Sequence, residues 1–143
     1  MKPIICAGGF LVKKNKFLFG KRSKKKIWAA GMWDIVGGKS LKNENPLHTL
    51  NREVQEETGV NVLDAELMTT MNIYDEKDGG FFTYHIYMIT QWQNKPVNLT
   101  KEHTELRWFT RDEIGKLNIA LPEYVPLIDK WITNSKTGLH PGE

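Results

Sequence analysis

An α/β fold, with a mixed β-sheet held between helices, is what this sequence predicts, and three observations predict it. Strand-like and helix-like segments alternate along the 143 residues, which is the order of a layered domain. One strand candidate is apolar on both of its faces and therefore needs cover on both sides. The helix candidates carry apolar stripes, each of which needs a sheet to pack on.

Taken from the N-terminus, residues 4–12 and 17–20 read as two strands around a Lys14-Asn15-Lys16 turn. A loop from Ser23 to Met32 follows, and residues 33–36 form a short strand ending at Gly37-Gly38. A helix is predicted over 46–58, because Pro46 suits a first turn and Gly59 suits the position just past the last. Segments 62–74 and 81–92 are strands, and the polar, glycine-rich spacer from Glu76 to Gly80 signals a hairpin. The second of them puts Phe82, Tyr84, Ile86 and Met88 on one face and Phe81, Tyr87 and Ile89 on the other, as a central strand would. Residues 107–110 form a last strand. Helices are expected over 111–117 and 122–133, the latter burying Val125, Ile128 and Ile132. The expectation is one domain over residues 1–133 and a flexible tail over 134–143.

Composition excludes several classes. The chain is 40% hydrophobic and 26% charged, which suits one soluble domain with one core. No apolar run is long enough to span a bilayer, so no membrane partner is expected. Met1-Lys2-Pro3 leads straight into a strand, so no signal peptide is expected either. Cys6 stands alone, which excludes an internal disulfide or a zinc knuckle and favours the cytoplasm. A net charge of +3 lacks the stronger basic bias usual in nucleic-acid-binding domains, and no stable nucleic-acid partner is expected, although global charge alone decides nothing. The local cluster Lys21, Arg22, Lys24, Lys25, Lys26 is either a solvated loop or an attraction for phosphates.

The helix over 46–58 carries the chemistry. On a wheel of 100° per residue, Leu47, Leu50 and Val54 share the core face, while Glu53, Glu56 and Glu57 fall together on another arc. Carboxylates at i, i+3 and i+4 repel by about 0.2–0.5 kcal/mol per pair, and Arg52 relieves part of this through an i, i+4 pair with Glu56. One arginine does not neutralise three glutamates. A hard divalent cation does, because magnesium prefers carboxylate, phosphate and water oxygens. Taken alone, such a cluster is more often a solvated acidic face.

The flanking residues decide. From Gly38 through Glu44, Arg52-Glu53-Val54 and Glu56-Glu57 to Gly59-Val60, the chain resembles the Nudix box, G-x5-E-x7-R-E-U-x-E-E-x-G-U with U aliphatic, without exception. The likeness extends through Phe17-Leu18-Phe19, Arg22, the Trp33-to-Lys39 lead-in and Glu102-His103-x-Glu105-Leu106-Arg107-Trp108-Phe109, to about residue 133.

That resemblance implies a Nudix α/β/α sandwich and a magnesium-dependent hydrolase, with manganese able to substitute. It implies that Glu56 and Glu57 are the principal metal ligands, that Glu53 is a third ligand or the base, and that the Gly37 carbonyl also reaches the metal. Gly37 and Gly38 would let the backbone turn sharply before the helix and approach the metal. Arg52 and Glu44 would pair and orient the glutamates. The base would be Glu53 or a glutamate on a later loop, where Glu102 is favoured over Glu105. Arg22, Trp33 and Phe82 are the substrate-contact candidates, with Trp28 a further ring able to stack on a base. None of the four histidines is assigned a role.

The implied partner is a small-molecule nucleotide. The size suits a MutT-like enzyme that converts a nucleoside triphosphate, an oxidised one included, to monophosphate and pyrophosphate. The alternatives are a pyrophosphatase of nucleoside diphosphate sugars and a nucleotide-sensing module without catalysis. A homodimer stays open.

Overall fold

The computed structural model describes residues 3–76 and 80–136. The first hairpin joins β1 (Ile4–Lys13) to β2 (Lys16–Arg22) through Lys14 and Asn15, both at positive φ, the backbone that a two-residue hairpin turn requires. β3 (Trp33–Asp34) and β4 (Val36–Lys39) precede α1 (Pro46–Thr58). The long hairpin of β5 (Asn61–Asp75) and β6 (Gly80–Gln93) follows, then β7 (His103–Thr110), α2 (Arg111–Ile114) and α3 (Tyr124–Lys136).

β1 sits at the centre. It pairs antiparallel with β2 and β4 and parallel with β6, from Ile4↔Phe82 to Leu11↔Ile89. β5 lies antiparallel on the far side of β6, and β7 and β3 flank β2. The sheet is mixed, and β6 is the interior strand that its two apolar faces require. Alternation along β1 splits the core in two. Phe10 and Val12 pack with Tyr124, Ile128 and Trp131 of α3, while Ala7 and Leu11 pack with Leu50 and Val54 of α1. Helices therefore cover both faces, as expected.

The differences from the sequence expectation are instructive. Gly37 and Gly38 are not a turn before the helix. They lie inside β4, paired with Gly8 and Ala7, and a Cβ on Gly37 would collide with the Ala7 carbonyl oxygen. Close strand approach is what selects glycine there. Leu47 is 46% exposed, because the buried stripe of α1 runs through Thr49, Leu50, Val54, Glu57 and Thr58 instead. The strand expected over 107–110 begins at His103, and α2 is only Arg111–Ile114, opened by a Thr110–Glu113 capping box and ended at Gly115. In α3 the fully buried residues are Tyr124, Ile128 and Trp131, with Val125 and Ile132 partly buried. That helix runs on to Lys136, so 134–136 are not tail, and 137–143 lie outside the described residues, as does the 77–79 part of the hairpin spacer. No helix among the described residues is long and apolar enough to cross a membrane.

Candidate active site

The site is built on α1. Asn45 caps its start by accepting from the His48 amide at 2.8 Å, Pro46 fills the first turn, and Gly59 ends it at φ 75° with its N–H on Gln55 O. Two further amides, from Val97 and Leu99, bond the carbonyls of Thr58 and Glu57 at 3.0 Å. The segment between β6 and β7 thus completes the helix end and then delivers Glu102 and His103.

The three glutamates have different surroundings. Glu57 is 3% exposed, and its Oε2 accepts from the Gly37 amide at 3.1 Å. Burial first, then the charges of Glu53 and Glu102, push its pKa well above the ordinary carboxylate value. Glu53 is part-buried against Gly38, where a Cβ would stand 2.5 Å from its carboxylate. Glu56 is 57% exposed at its side chain and bonds Arg52 at 3.2 Å.

Arg52 organises this acidic face. Its guanidinium donates to Glu44 Oε2 at 2.8 Å and Oε1 at 3.0 Å, to Glu53 at 2.9 Å, to Glu56, and to the Lys39 carbonyl at 2.9 Å. The Arg52 hydrogen bond, followed by the Leu41 amide, lowers the Glu44 pKa to about 2. Thr49 Oγ1 adds a bond to Glu44 at 2.8 Å. Glu44 is thus a fixed anion that holds the arginine.

A cavity of about 540 Å³ opens beside the helix. Gly37, Gly38, Glu53, Glu57, Glu102 and His103 line it, together with Arg22, Trp28, Asp34, Ile73, Phe82 and Tyr84 and the lysines Lys25, Lys26 and Lys39. Of the two loop glutamates, Glu102 faces the cavity and meets Lys26 at 3.5 Å, whereas Glu105 pairs with Arg107 at 2.7 Å and does not line it.

The donor set suits a hard divalent cation. Every candidate ligand is an oxygen, Glu57 lies among like charges, and its buried Oε1 has no hydrogen-bond partner. Among the described residues no group of three or more His, Cys, Asp or Glu forms a ready ligand set. Arg52 holds both Glu53 and Glu56.

Among the substrate candidates, Phe82 lines the cavity with the Lys39 ammonium 5.8 Å from its ring centroid. Arg22 lines it too, yet it is engaged: its Nε bonds Trp28 O at 2.8 Å, it lies over the Trp28 ring, and it faces Asp34 at 3.6 Å. Trp33 is a correction. It is 9% exposed, packs edge-on against Phe109 at 4.9 Å in the core, and does not line the cavity. Trp28 is the tryptophan that does.

Asp34 and His103 also line the cavity and are not among the site candidates of the sequence. Asp34 is buried, accepts from Tyr124 Oη and from the Ile35 amide at 2.8 Å, and has its pKa raised by burial. His103 is buried with Nδ1 3.5 Å from Glu57 Oε1, and burial, then the Arg22 charge, lower its pKa to about 4. Its one sequence signal is adjacency to Glu102.

A NUDIX domain model matches residues 2–131 of the chain. The chain is 30% identical over 114 residues to the 8-oxo-dGTP diphosphatase of Buchnera aphidicola subsp. Schizaphis graminum, covering 80% of this chain and 82% of that protein. It is 24% identical to the CTP pyrophosphohydrolase of Escherichia coli K12, over 92% of this chain and 93% of the relative. A crystal structure of a MutT NUDIX hydrolase from Burkholderia pseudomallei superposes with a TM-score of 0.80 at 23% identity, over 90% of this chain and 98% of that one, a likeness of fold.

Proposed function

Since the chain belongs to the NUDIX family, we propose that it is a magnesium-dependent pyrophosphohydrolase that converts a nucleoside triphosphate to monophosphate and pyrophosphate. The observation that carries this is that carboxylates, aromatic rings and lysines line one cavity. The names of the two curated relatives support it, since both are nucleotide pyrophosphohydrolases or diphosphatases. Glu53, Glu56 and Glu57, with the Gly37 carbonyl, would hold the cation, and manganese would be an adequate substitute. Bound there, the cation would neutralise phosphate charge and make an attacking water more acidic.

The chain's own residues supply the rest. Lys25, Lys26 and Lys39 draw the polyphosphate into the cavity. Trp28 and Phe82 offer ring faces to the base. A water oxygen attacks an internal phosphorus, the bond to the departing pyrophosphate oxygen breaks, and the water's proton passes to a carboxylate. Glu102, in the cavity, is the preferred acceptor, with Glu53 the other. Arg52 and Glu44 hold the acidic face in place while charge develops. A lone, buried Cys6 accords with a reducing cytoplasmic setting.

The test is product analysis of the purified protein on a panel of nucleoside triphosphates, oxidised triphosphates and nucleoside diphosphate sugars, with and without magnesium. Monophosphate and pyrophosphate from a triphosphate, only with the cation, is the expected result. Orthophosphate release, or turnover of nucleotide sugars alone, overturns the triphosphate assignment. Nucleotide binding with no turnover at all makes the protein a sensor.

A further inference from the structure

Glu57 is held at both of its ends by one segment of chain. Leu99 N–H bonds its backbone carbonyl at 3.0 Å, and four residues later His103 Nδ1 stands 3.5 Å from its side-chain Oε1. Both atoms are buried, and neither has a hydrogen-bond partner. Buried polar atoms ordinarily have a partner, and each of these two has the other within 3.5 Å.

The fold goes to some length to keep the imidazole there. Asn98 Nδ2 donates to the His103 carbonyl at 2.8 Å and fixes its backbone. The register between β2 and β7 shifts at Lys21/Arg22, opposite His103, the kind of irregularity that re-aims a side chain. The ring then lies flat on Gly20, where an added Cβ would come within 2.5 Å of its Cδ2. Gly20 has ordinary β backbone with no positive φ, so space for the ring, and not chain conformation, is what a side chain there would disturb.

We propose that His103 is a positioning residue, which aims Glu57 Oε1 at the cation by presenting Nδ1–H to it. The opposite oxygen, Oε2, already takes the Gly37 amide, so the two donors between them fix the plane of the carboxylate. A carboxylate held in one plane meets a metal without first losing rotational freedom, which is how groups behind the ligands raise affinity. This rests on the metal-dependent function proposed above.

The test measures manganese binding by electron paramagnetic resonance, in the absence of nucleotide, on the wild type and on His103→Leu, His103→Asn and Gly20→Ala. Loss of the N–H in His103→Leu is expected to weaken manganese binding by about tenfold to a hundredfold. His103→Asn, whose amide nitrogen lies near the place of Nδ1, is expected to recover much of that loss. Gly20→Ala keeps the imidazole but pushes it aside, so it is expected to weaken manganese binding while the fold melts cooperatively, and it serves where His103→Leu does not fold. Wild-type affinity in both His103→Leu and Gly20→Ala, or equal losses in His103→Leu and His103→Asn, overturns the proposal and makes the ring mere packing. A wild type that binds no manganese overturns the metal reading itself, a separate outcome.

Discussion

Arg52 and Glu44, eight residues apart, are joined by two hydrogen bonds of 2.8 and 3.0 Å, and the same guanidinium reaches Glu53, Glu56 and the Lys39 carbonyl. Only a planar fork makes that many contacts from one side chain. Arg52→Lys keeps the charge and loses the fork, so turnover at saturating magnesium is expected to fall by about tenfold to a hundredfold. The melting temperature falls as well, because Glu44 loses its main partner. A silent Arg52→Lys would mean that only surface charge matters there.

The second expectation concerns Glu57 in metal-free protein. Its folded pKa lies well above the ordinary 4.5, so between those values the folded chain holds a proton that the unfolded chain releases. The stability linked to that proton is fully present at low pH and is lost as pH rises through the folded value. Glu57→Gln stays neutral and keeps an acceptor for the Gly37 amide. It is expected to melt higher than wild type at pH 8, with the gap closing toward pH 4.5. His103 has the opposite slope, because its folded pKa of about 4 lies below the ordinary 6.5 and acid in that window favours unfolding. The two slopes have opposite signs, so a gap that widens with rising pH is the mark of Glu57. Turnover of Glu57→Gln, and of Glu56→Gln, is expected to fall by orders of magnitude in the same preparations.

Glu102 and Glu53 are separated by a pair of titrations. Removing a base slows the single-turnover rate and leaves metal affinity nearly unchanged, whereas removing a ligand weakens both together. Glu102→Gln is expected to follow the first pattern and Glu53→Gln the second. Full rate in Glu102→Gln would leave Glu102 as the partner of Lys26 and nothing more, and the base would then come from the box.

The exposed Leu47 gives a stability test. Leu50→Ala, in a fully buried site, is expected to cost about 2–5 kcal/mol in urea denaturation. Leu47→Ala, at a half-exposed site, is expected to stay within about 0.5 kcal/mol.

Those residues also mark what the sequence carries and what it leaves out. Spacing alone placed α1 from Pro46 to Thr58, because its caps and its apolar stripe are local features. The same spacing put Leu47 inside and Glu57 outside, since a wheel has an axis but no neighbours. Where the buried arc falls depends on β1 and β4, which supply the wall behind Thr49 and Glu57. Trp28 and Trp33 look alike as letters, and only the packing of Phe109 against Trp33 tells the core ring from the cavity ring. Gly37-Gly38 shows the converse. Glycine was the informative residue, and its reason lies in the approach of β1 and not in a turn. His103 stayed hidden because its partner, Glu57, is remote in the chain and close only once β7 has formed.

The parallel pairing of β1 with β6 has a consequence for the order in which the molecule is made. Ile4 must wait for Phe82, and Leu11 for Ile89, so the innermost contacts of the sheet close long loops, and those of β2 with β7 close longer ones still. Loop closure costs entropy before any contact repays it, which makes this step slow beside the hairpins and α1. A nascent chain that has emerged only as far as Val60 holds every residue of the box without the β6 strand that β1 pairs with. Its acidic helix is then a solvent-exposed segment open to a protease, and it becomes a site only after β6 and the segment that brings Glu102 and His103 have left the ribosome.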